Sequence, residues 1–357
     1  MFGHKYRCVV KITPELSRRF AVMSFVSAIL IVALHSLSAD RAGVVVRCVH
    51  SLIMGGLCQT AVPWFFFAAG FFLAGHIGEA NWWWTGVRKR VRTLLVPFWI
   101  WSFALCSISI LFAIAVRIVG YDYGGVDGLQ WLSLKGLVRV LGLDYYDTMP
   151  TMWFLRTLFC LVIVSPILCR INLWGLAFLF VVTCCFDIIP DKGRVITQLG
   201  HNLCSTRGLF YFSAGLAMRL NAGLQLRGRW IKVVVAAVGI ILCLVRVWVE
   251  LCGFWRAATF LGAFQLPWLT YLLYLACSRI RITNKYTSLS FPLYVTHEII
   301  VLVITACFGI LGIGGSGNIT FTKGFSRFVI TCGISIVLCL FVRRKWPKVS
   351  RIVFGGR

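Results

Sequence analysis

Two histidines lie inside long apolar stretches, where an ionisable side chain is costly and is therefore a candidate for function. His35 is near the end of FVSAILIVALHS, and His297 lies in LSFPLYVTHEIIVLV. An imidazole in such a place can act as a general base or accept an acyl group. From position alone, His35 could equally lie at the end of a membrane span, at the level of the lipid headgroups. His297 could equally belong to a hydrogen-bond network that packs helices together. Tyr294 shares a helical face with His297, whereas Glu298 does not.

Cationic side chains form the other candidate sites. Arg88, Lys89, Arg90 and Arg92 lead into the apolar run of RKRVRTLLVPFWIW, where a fan of cations and free backbone N–H groups at a helix start suits an anion. The same cluster is also expected of a cytoplasmic span end. Arg156 lies inside an apolar run, PTMWFLRTLFCLVIVSPIL, where it either reaches back to the membrane surface or faces the helix bundle.

The composition assigns the chain to the membrane. Apolar residues are 59% of 357 positions and mean hydropathy is +0.87, too much for a soluble core. The formal charge is +25, but charged residues are only 13% and occur in short bursts between apolar runs, which disfavours nucleic-acid binding. Most of the 15 cysteines lie inside apolar runs without metal-site spacing, so we expect neither a metal nor a permanently bound cofactor.

Windows of about twenty apolar residues predict an all-α polytopic helical bundle of about ten transmembrane helices. The first stretch is too long for a cleavable signal and is expected to be a retained span. The predicted spans are 20–39, 57–75, 94–118, 152–169, 171–189, 207–220, 231–251, 257–277, 288–312 and 325–342. The close pair at 152–189 and the short sixth span carry the weakest signals. A short amphipathic piece is expected around 129–141, in the longest outer segment.

Basic residues predict the orientation. They concentrate in every second segment, which places both termini in the cytoplasm and the chain in the inner membrane. The predicted organisation is a cytoplasmic basic N-terminus (1–19), a transmembrane domain (20–342) and a cytoplasmic basic tail (343–357). Arg246 and Glu250, four positions apart on one span, are expected to form a structural pair.

Six segments together resemble the successive motifs of acyltransferase family 3, the bacterial membrane acyltransferases. In order they are RRFAVMSFVSAILIVALHS, VPWFFFAAGFFLAG, KRVRTLLVPFWIWS, MWFLRTLFCLVIVSPIL, LFYFSAGLAMRL and SFPLYVTHEII, and the likeness runs from about residue 18 to 300. The resemblance implies transfer of an acyl group, usually acetyl, from cytoplasmic acyl-CoA to a hydroxyl of an envelope or exported glycan or glycolipid. It implies no nucleic-acid partner and leaves the oligomeric state open.

The resemblance also implies roles for residues. His35 matches the histidine of the family's first-span motif and takes its catalytic role, while the basic residue eleven positions earlier falls on Ser24, a departure from the pattern. Arg156 and His297 also match family positions. As a hypothesis, Arg156 or His297 stabilises the developing oxyanion. The basic motif before the third span, suited to the phosphates of CoA, falls on Arg88, Lys89, Arg90 and Arg92.

A route for the donor follows from helix length. Arg19 and His35 are separated by about 24 Å along a helix, so inner arginines can hold the nucleotide phosphates while the pantetheine arm reaches outward to His35. Arg18 or Arg19 is expected to replace the cation absent at Ser24. Two other functions remain: a glycan or lipid-precursor transporter or flippase, and a non-catalytic family member, which the serine at position 24 motivates.

Overall fold

The computed structural model describes residues 10–37, 43–119, 128–143, 151–186, 205–221, 228–311 and 321–356. Within these ranges the secondary structure is helical and contains no strand, which confirms the all-α prediction. Apolar side chains also cover much of the outer surface. Trp174, Trp230 and Val337, for example, expose 84%, 81% and 68% of their surface, as expected of side chains that face lipid.

Thirteen helices are numbered in chain order over the described ranges. The first six are α1 (Pro14–Ser36), α2 (Val44–Ala74), α3 (Trp82–Arg90, continued by Val96–Val119), α4 (Leu134–Val140), α5 (Trp153–Leu168) and α6 (Leu173–Phe186). The others are α7 (Thr206–Leu220), α8 (Arg229–Leu251), α9 (Trp255–Cys277), α10 (Asn284–Thr287), α11 (Ser290–Ile310), α12 (Phe321–Lys345) and α13 (Pro347–Val353).

A helix lies at each of the ten predicted spans, but only seven are long and apolar enough to cross a membrane by length and composition. The seven are α1, α2, α3, α8, α9, α11 and α12. The other three are α5, α6 and α7, with 16, 14 and 15 residues. At 1.5 Å per residue, these reach roughly 21 to 24 Å, less than a hydrocarbon core of about 30 Å. A polytopic bundle is therefore established, and the count of ten is not confirmed.

Helix α2 begins at Val44, well before the predicted start at 57. A π-helical turn, Ser51–Leu57, carries the helix through a serine and two glycines. Neighbouring helices bond to the carbonyl groups of this turn: Arg246 donates to the Ser51 carbonyl, and Gln265 Nε2 donates to the Gly55 carbonyl at 3.0 Å. These tertiary contacts stabilise a segment that local sequence alone marks as a break.

Helices α2 and α7 pack in parallel at very close range. A Cβ atom added to Gly70 would lie 2.1 Å from the Phe212 carbonyl oxygen, and one added to Gly215 would lie 2.1 Å from the Phe67 carbonyl oxygen. Small residues at such a crossing let two membrane helices approach backbone to backbone. This contact places the end of α7 beside the end of α2.

The start of α1 and the end of α12 lie on the same side of the bundle, here called the N-terminal side. The segment between α9 and α11 contacts both, because Arg18 Nη1 donates to the Ile280 carbonyl at 2.7 Å and Arg343 Nη2 donates to the Ser288 carbonyl at 2.7 Å. An even number of crossings gives this arrangement.

The predicted short helix between the third and fourth spans is present. A 3-10 turn, Gly128–Leu132, leads into α4, and Ser133 accepts a hydrogen bond from the Gly136 N–H at 3.1 Å as its N-cap. Positions 120–127 and 144–150 of the same segment lie outside the described residues.

Candidate active site

Two cavities lie one above the other along α1. The first, the cation-lined cavity, has a volume of about 510 Å³, and Lys89, Arg90 and Arg219 are among its lining residues. It opens toward the N-terminal side. The second, the histidine cavity, has a volume of about 180 Å³ and lies at the far end of α1, where His35 and Thr151 help to line it.

Three aromatic residues, named the aromatic partition, separate the cavities. Phe154 and Tyr294 line both cavities, and Phe65 lines the cation-lined cavity. The ring centres lie 5.8 Å apart for Phe65 and Phe154, 6.5 Å for Phe65 and Tyr294, and 5.7 Å for Phe154 and Tyr294. A molecule that occupied both cavities would therefore have to pass these rings.

The structure brings the two predicted histidines together. Their ring centres lie 5.4 Å apart. His297 is 0% exposed, and its Nδ1 lies 2.6 Å from the Tyr294 carbonyl oxygen. Because a carbonyl only accepts hydrogen bonds, Nδ1 carries a hydrogen, and a neutral ring then has its lone pair on Nε2. That Nε2 has no hydrogen-bond partner in the part of the chain described.

Arg327, in α12, holds the end of the helix that carries His35. Its Nη2 and Nε donate to the Ser36 carbonyl at 2.6 and 3.0 Å, and its Nη1 donates to Thr305 Oγ1 at 3.2 Å. These bonds satisfy a carbonyl at the open end of α1. Sequence reasoning missed Arg327, although a cation two residues inside the predicted last span was a signal of an interior contact.

Thr151 is clamped by two residues of α11. Tyr294 Oη donates to the Thr151 carbonyl, while the Thr151 N–H and hydroxyl both donate to Glu298 Oε2, the former at 3.3 Å. Tyr294 and Glu298 are four positions apart and so share a helical face. The clamp fixes the start of α5 as a wall of the histidine cavity. Glu298 thus bonds Thr151, while His297 faces His35, as expected for adjacent helix positions.

The structure divides the predicted basic cluster. Lys89 and Arg90 line the cation-lined cavity. Arg88 is exposed, with its guanidinium 6.0 Å from the centre of the Trp84 ring, and Arg92 is exposed as well. Neither Arg88 nor Arg92 is among the described residues that line the cavities. A third cation takes part instead, because Arg219 at the end of α7 lines the cation-lined cavity and is only 7% exposed.

Arg156 lies apart from the described lining of both cavities. It is 7% exposed, and its Nη1 donates to the Gly142 carbonyl at 3.0 Å. Gly142 follows α4 with φ of +78°, a left-handed conformation that suits glycine. This bond ties α5 to the α4 segment, and a catalytic role for Arg156 stays a prediction.

Ser24 lines the cation-lined cavity, and Trp64 Nε1 donates to its hydroxyl at 3.0 Å. The expected substitutes for a cation at this position are engaged elsewhere. Arg18 and Arg19 each form an ion pair with Glu15 at 2.8 Å, and neither is among the described residues that line the cavity. The expectation that Arg18 or Arg19 replaces the absent cation therefore has no structural support.

A third cavity, of about 240 Å³, adjoins the histidine cavity and shares Gln59 and Arg207 with it. The predicted pair of Arg246 and Glu250 forms here, and both residues also bond to Ser51. Through Gln59 and Arg207, this polar cavity borders the histidine cavity.

Apolar helices surround two internal features, the cation-lined cavity toward the N-terminal side and the histidine pair at the opposite end of α1. The protein is therefore a polytopic membrane protein with an internal site. The model of acyltransferase family 3, described as an acyltransferase domain, matches residues 22–344 of the 357. The chain therefore belongs to this family, and it is a membrane acyltransferase. The matched region contains every described residue that lines the histidine cavity. Comparison with curated proteins and with solved structures gave no match.

Proposed function

We propose that this protein transfers an acyl group, acetyl in the simplest case, from acyl-CoA to a hydroxyl of an envelope or exported glycan or glycolipid. One observation carries the proposal: Phe154 and Tyr294 line both the cation-lined cavity and the histidine cavity. A thioester held in the cation-lined cavity can therefore present its acyl end to His35 through a single partition.

The chemistry requires a general base beside the acceptor hydroxyl. His35 accepts the hydroxyl proton, and the acceptor oxygen forms a bond to the thioester carbonyl carbon. The carbon–sulfur bond then breaks, and the sulfur leaves with the proton returned from His35. This reaction converts a thioester to an ester and needs no oxidant, reductant or metal.

His297 is suited to orient His35 during this exchange. The 5.4 Å separation of the ring centres allows one nitrogen of each ring to come within hydrogen-bonding distance. With Nδ1 held on the Tyr294 carbonyl, His297 offers Nε2 as an acceptor for the N–H of His35. A bond of this kind stabilises the imidazolium that His35 becomes after it takes the proton.

The N-terminal side is proposed to face the cytoplasm, with the protein in the inner membrane and both termini cytoplasmic. The concentration of Lys and Arg on this side supports the assignment under the positive-inside rule. Acyl-CoA then enters from the compartment in which it is made, and the acceptor approaches His35 from the opposite side.

The experiment uses the purified protein in lipid nanodiscs with acetyl-CoA and candidate glycan acceptors. Acceptor-dependent release of the CoA thiol, together with an added acetyl group on the acceptor by mass spectrometry, is the expected result. Mass spectrometry of surface polysaccharide and lipid from a deletion strain would identify the acceptor by the acyl increment that is lost. Transport of an intact glycan into sealed proteoliposomes, without thiol release, would instead indicate the transporter.

A further inference from the structure

Arg219 is a buried cation, and two of its three side-chain nitrogens have no hydrogen-bond partner in the part of the chain that the structure describes. It is 7% exposed, and its Nε and Nη1 are buried and have no hydrogen-bond partner there. The Phe71 ring lies under its guanidinium, 5.2 Å from ring centre to Cζ. A buried guanidinium without an acceptor is costly, so an acceptor that arrives with a ligand would relieve the cost.

The surroundings of Arg219 keep it open to the cation-lined cavity. A Cβ atom at Gly75 would lie 3.2 Å from Arg219 Nη2, so the glycine leaves room beside the guanidinium. The backbone carbonyl of Arg219 accepts a hydrogen bond from the Val10 N–H at 2.9 Å, which ties the N-terminal segment to the end of α7. The position of the arginine is thus fixed from the backbone and leaves its side chain for the cavity.

The charges around this cavity favour an anion. Lys89, Arg90 and Arg219 line it, and the carboxylate among its described lining residues is Glu79, which His76 Nδ1 contacts at 3.1 Å. Three cations against one carboxylate leave an excess of positive charge in a space of about 510 Å³, the size of a pocket for a ligand of nucleotide dimensions.

We propose that Arg219 binds a phosphate group of the acyl donor, together with Arg90 and Lys89. The proposal rests on the proposed function, since it assigns a subsite to the donor of that reaction. A guanidinium is planar and can donate two parallel hydrogen bonds to a phosphate. The phosphate chemistry is shared by a nucleotide thioester and by the headgroup of an anionic lipid, and the experiment must distinguish them.

The experiment measures CoA binding to the full-length protein in phosphatidylcholine nanodiscs by isothermal titration calorimetry. Arg219→Gln is expected to raise the Kd for CoA about 10- to 100-fold, with a smaller loss in Arg219→Lys, which keeps the charge but not the planar fork. Binding of pantetheine, which carries no phosphate, is expected to be equal in the variants and the unaltered protein. Arg344→Gln, an exposed arginine at the end of α12, is the matched control and is expected to bind CoA normally.

Three results would overturn the proposal. In the first, Arg219→Gln binds CoA with unchanged Kd. In the second, phosphatidylglycerol nanodiscs raise the melting temperature of the unaltered protein but not that of Arg219→Gln, while CoA changes the melting temperature of both proteins equally. The site then binds a lipid headgroup. In the third, the unaltered protein neither binds CoA nor releases thiol from acetyl-CoA, which also removes the proposed function. If Arg219→Gln shows full turnover and an unchanged Kd for CoA, the proposed role of Arg219 is wrong and the proposed function still stands. If Arg219→Gln does not fold, Arg219→Lys supplies the same comparison.

Discussion

The rings of His35 and His297 lie 5.4 Å apart, centre to centre, although their residues come from the first and the penultimate long helix of the chain. Below the two rings, the contact between the two helices is apolar. Ala28, Val32 and Leu293, at most 1% exposed, form its core just below the two rings. Close packing of small side chains lets the two imidazoles meet, so their geometry depends on helix packing and not on a local motif.

Removal of the base is the first prediction. His35→Ala is expected to lower kcat for acyl transfer by about 10²- to 10⁴-fold, the usual contribution of a general base. His297→Asn is expected to lower kcat less, by about 10- to 100-fold, because it removes one hydrogen bond to a charged partner. Both are measured by thiol release from acetyl-CoA in nanodiscs.

The histidine control is His50→Ala, in the first part of α2, a position that is not among the described lining residues of the three cavities. Its turnover is expected to match the unaltered protein. Full activity of His35→Ala, with the protein folded by its melting temperature, would contradict a role for His35 as base.

Arg327 provides the second prediction, since it acts on His35 only through the end of α1. Arg327→Gln loses the two hydrogen bonds to the Ser36 carbonyl, and kcat is expected to fall about 10-fold while the KM for acetyl-CoA stays unchanged. Arg327→Lys is expected to recover only part of kcat, because an ammonium cannot donate in the same planar fork. The exposed Arg256→Gln serves as control. An equal rise in the KM for acetyl-CoA would show that Arg327 acts on donor binding instead.

The individual residues of the site could be predicted from the sequence, but their proximity in the fold could not. His35 and His297 stood out because an ionisable group in an apolar run needs a reason. Periodicity places a residue on a helical face but carries no information on which helices pack together. Arg219 was missed for a different reason: the positive-inside rule already accounts for an arginine at a span end, and only burial distinguishes Arg219 from Arg88 or Arg92.

Helix crossing supplies the third prediction. Gly70→Ala or Gly215→Ala would place a methyl group 2.1 Å from a backbone oxygen of the facing helix, so either variant is expected to destabilise the fold by about 1–3 kcal/mol or more. Gly333→Ala, in α12 with nothing within 4 Å of the added Cβ, is the matched control and is expected to be neutral or slightly stabilising. Thermal unfolding in detergent, followed by size-exclusion chromatography, measures the difference. Equal melting temperatures in Gly70→Ala and Gly333→Ala would rule out the close crossing.

The predicted start of the second span, at residue 57, was wrong because tertiary contacts extend α2 back to Val44. Ser51, Gly55 and Gly56 mark a break in a single sequence, because serine and glycine are poor helix formers. The helix continues since Arg246 and Gln265, from two later helices, bond to the carbonyls of the π-helical turn. Tertiary contacts of this kind override local propensity and cannot be read from the segment itself.

The clamp on Thr151 gives the fourth prediction. Glu298→Ala removes the acceptor of both the Thr151 N–H and its hydroxyl, and loosens a wall of the histidine cavity. We expect turnover to fall about 10-fold, whereas Glu298→Gln, whose amide oxygen can accept the same two bonds, keeps most of it. Acceptor titrations at saturating acetyl-CoA measure the effect. Equal losses in the two variants would show that the negative charge, and not the clamp, is what matters.

The aromatic partition gives the last prediction, which concerns the length of the acyl chain. Phe65 contacts both Phe154 and Tyr294 and is only half-buried, so Phe65→Leu widens the partition at a smaller cost in stability than a change at the buried Phe154. If the acyl group passes these rings, Phe65→Leu raises the rate with butyryl-CoA relative to acetyl-CoA. Phe67→Leu, on the same helix but outside the described lining of both cavities, is expected to leave that ratio unchanged. A wider constriction favours the bulkier acyl group if that group passes through it. An unaltered ratio of the butyryl-CoA rate to the acetyl-CoA rate in Phe65→Leu would therefore mean that the acyl group reaches His35 by another path.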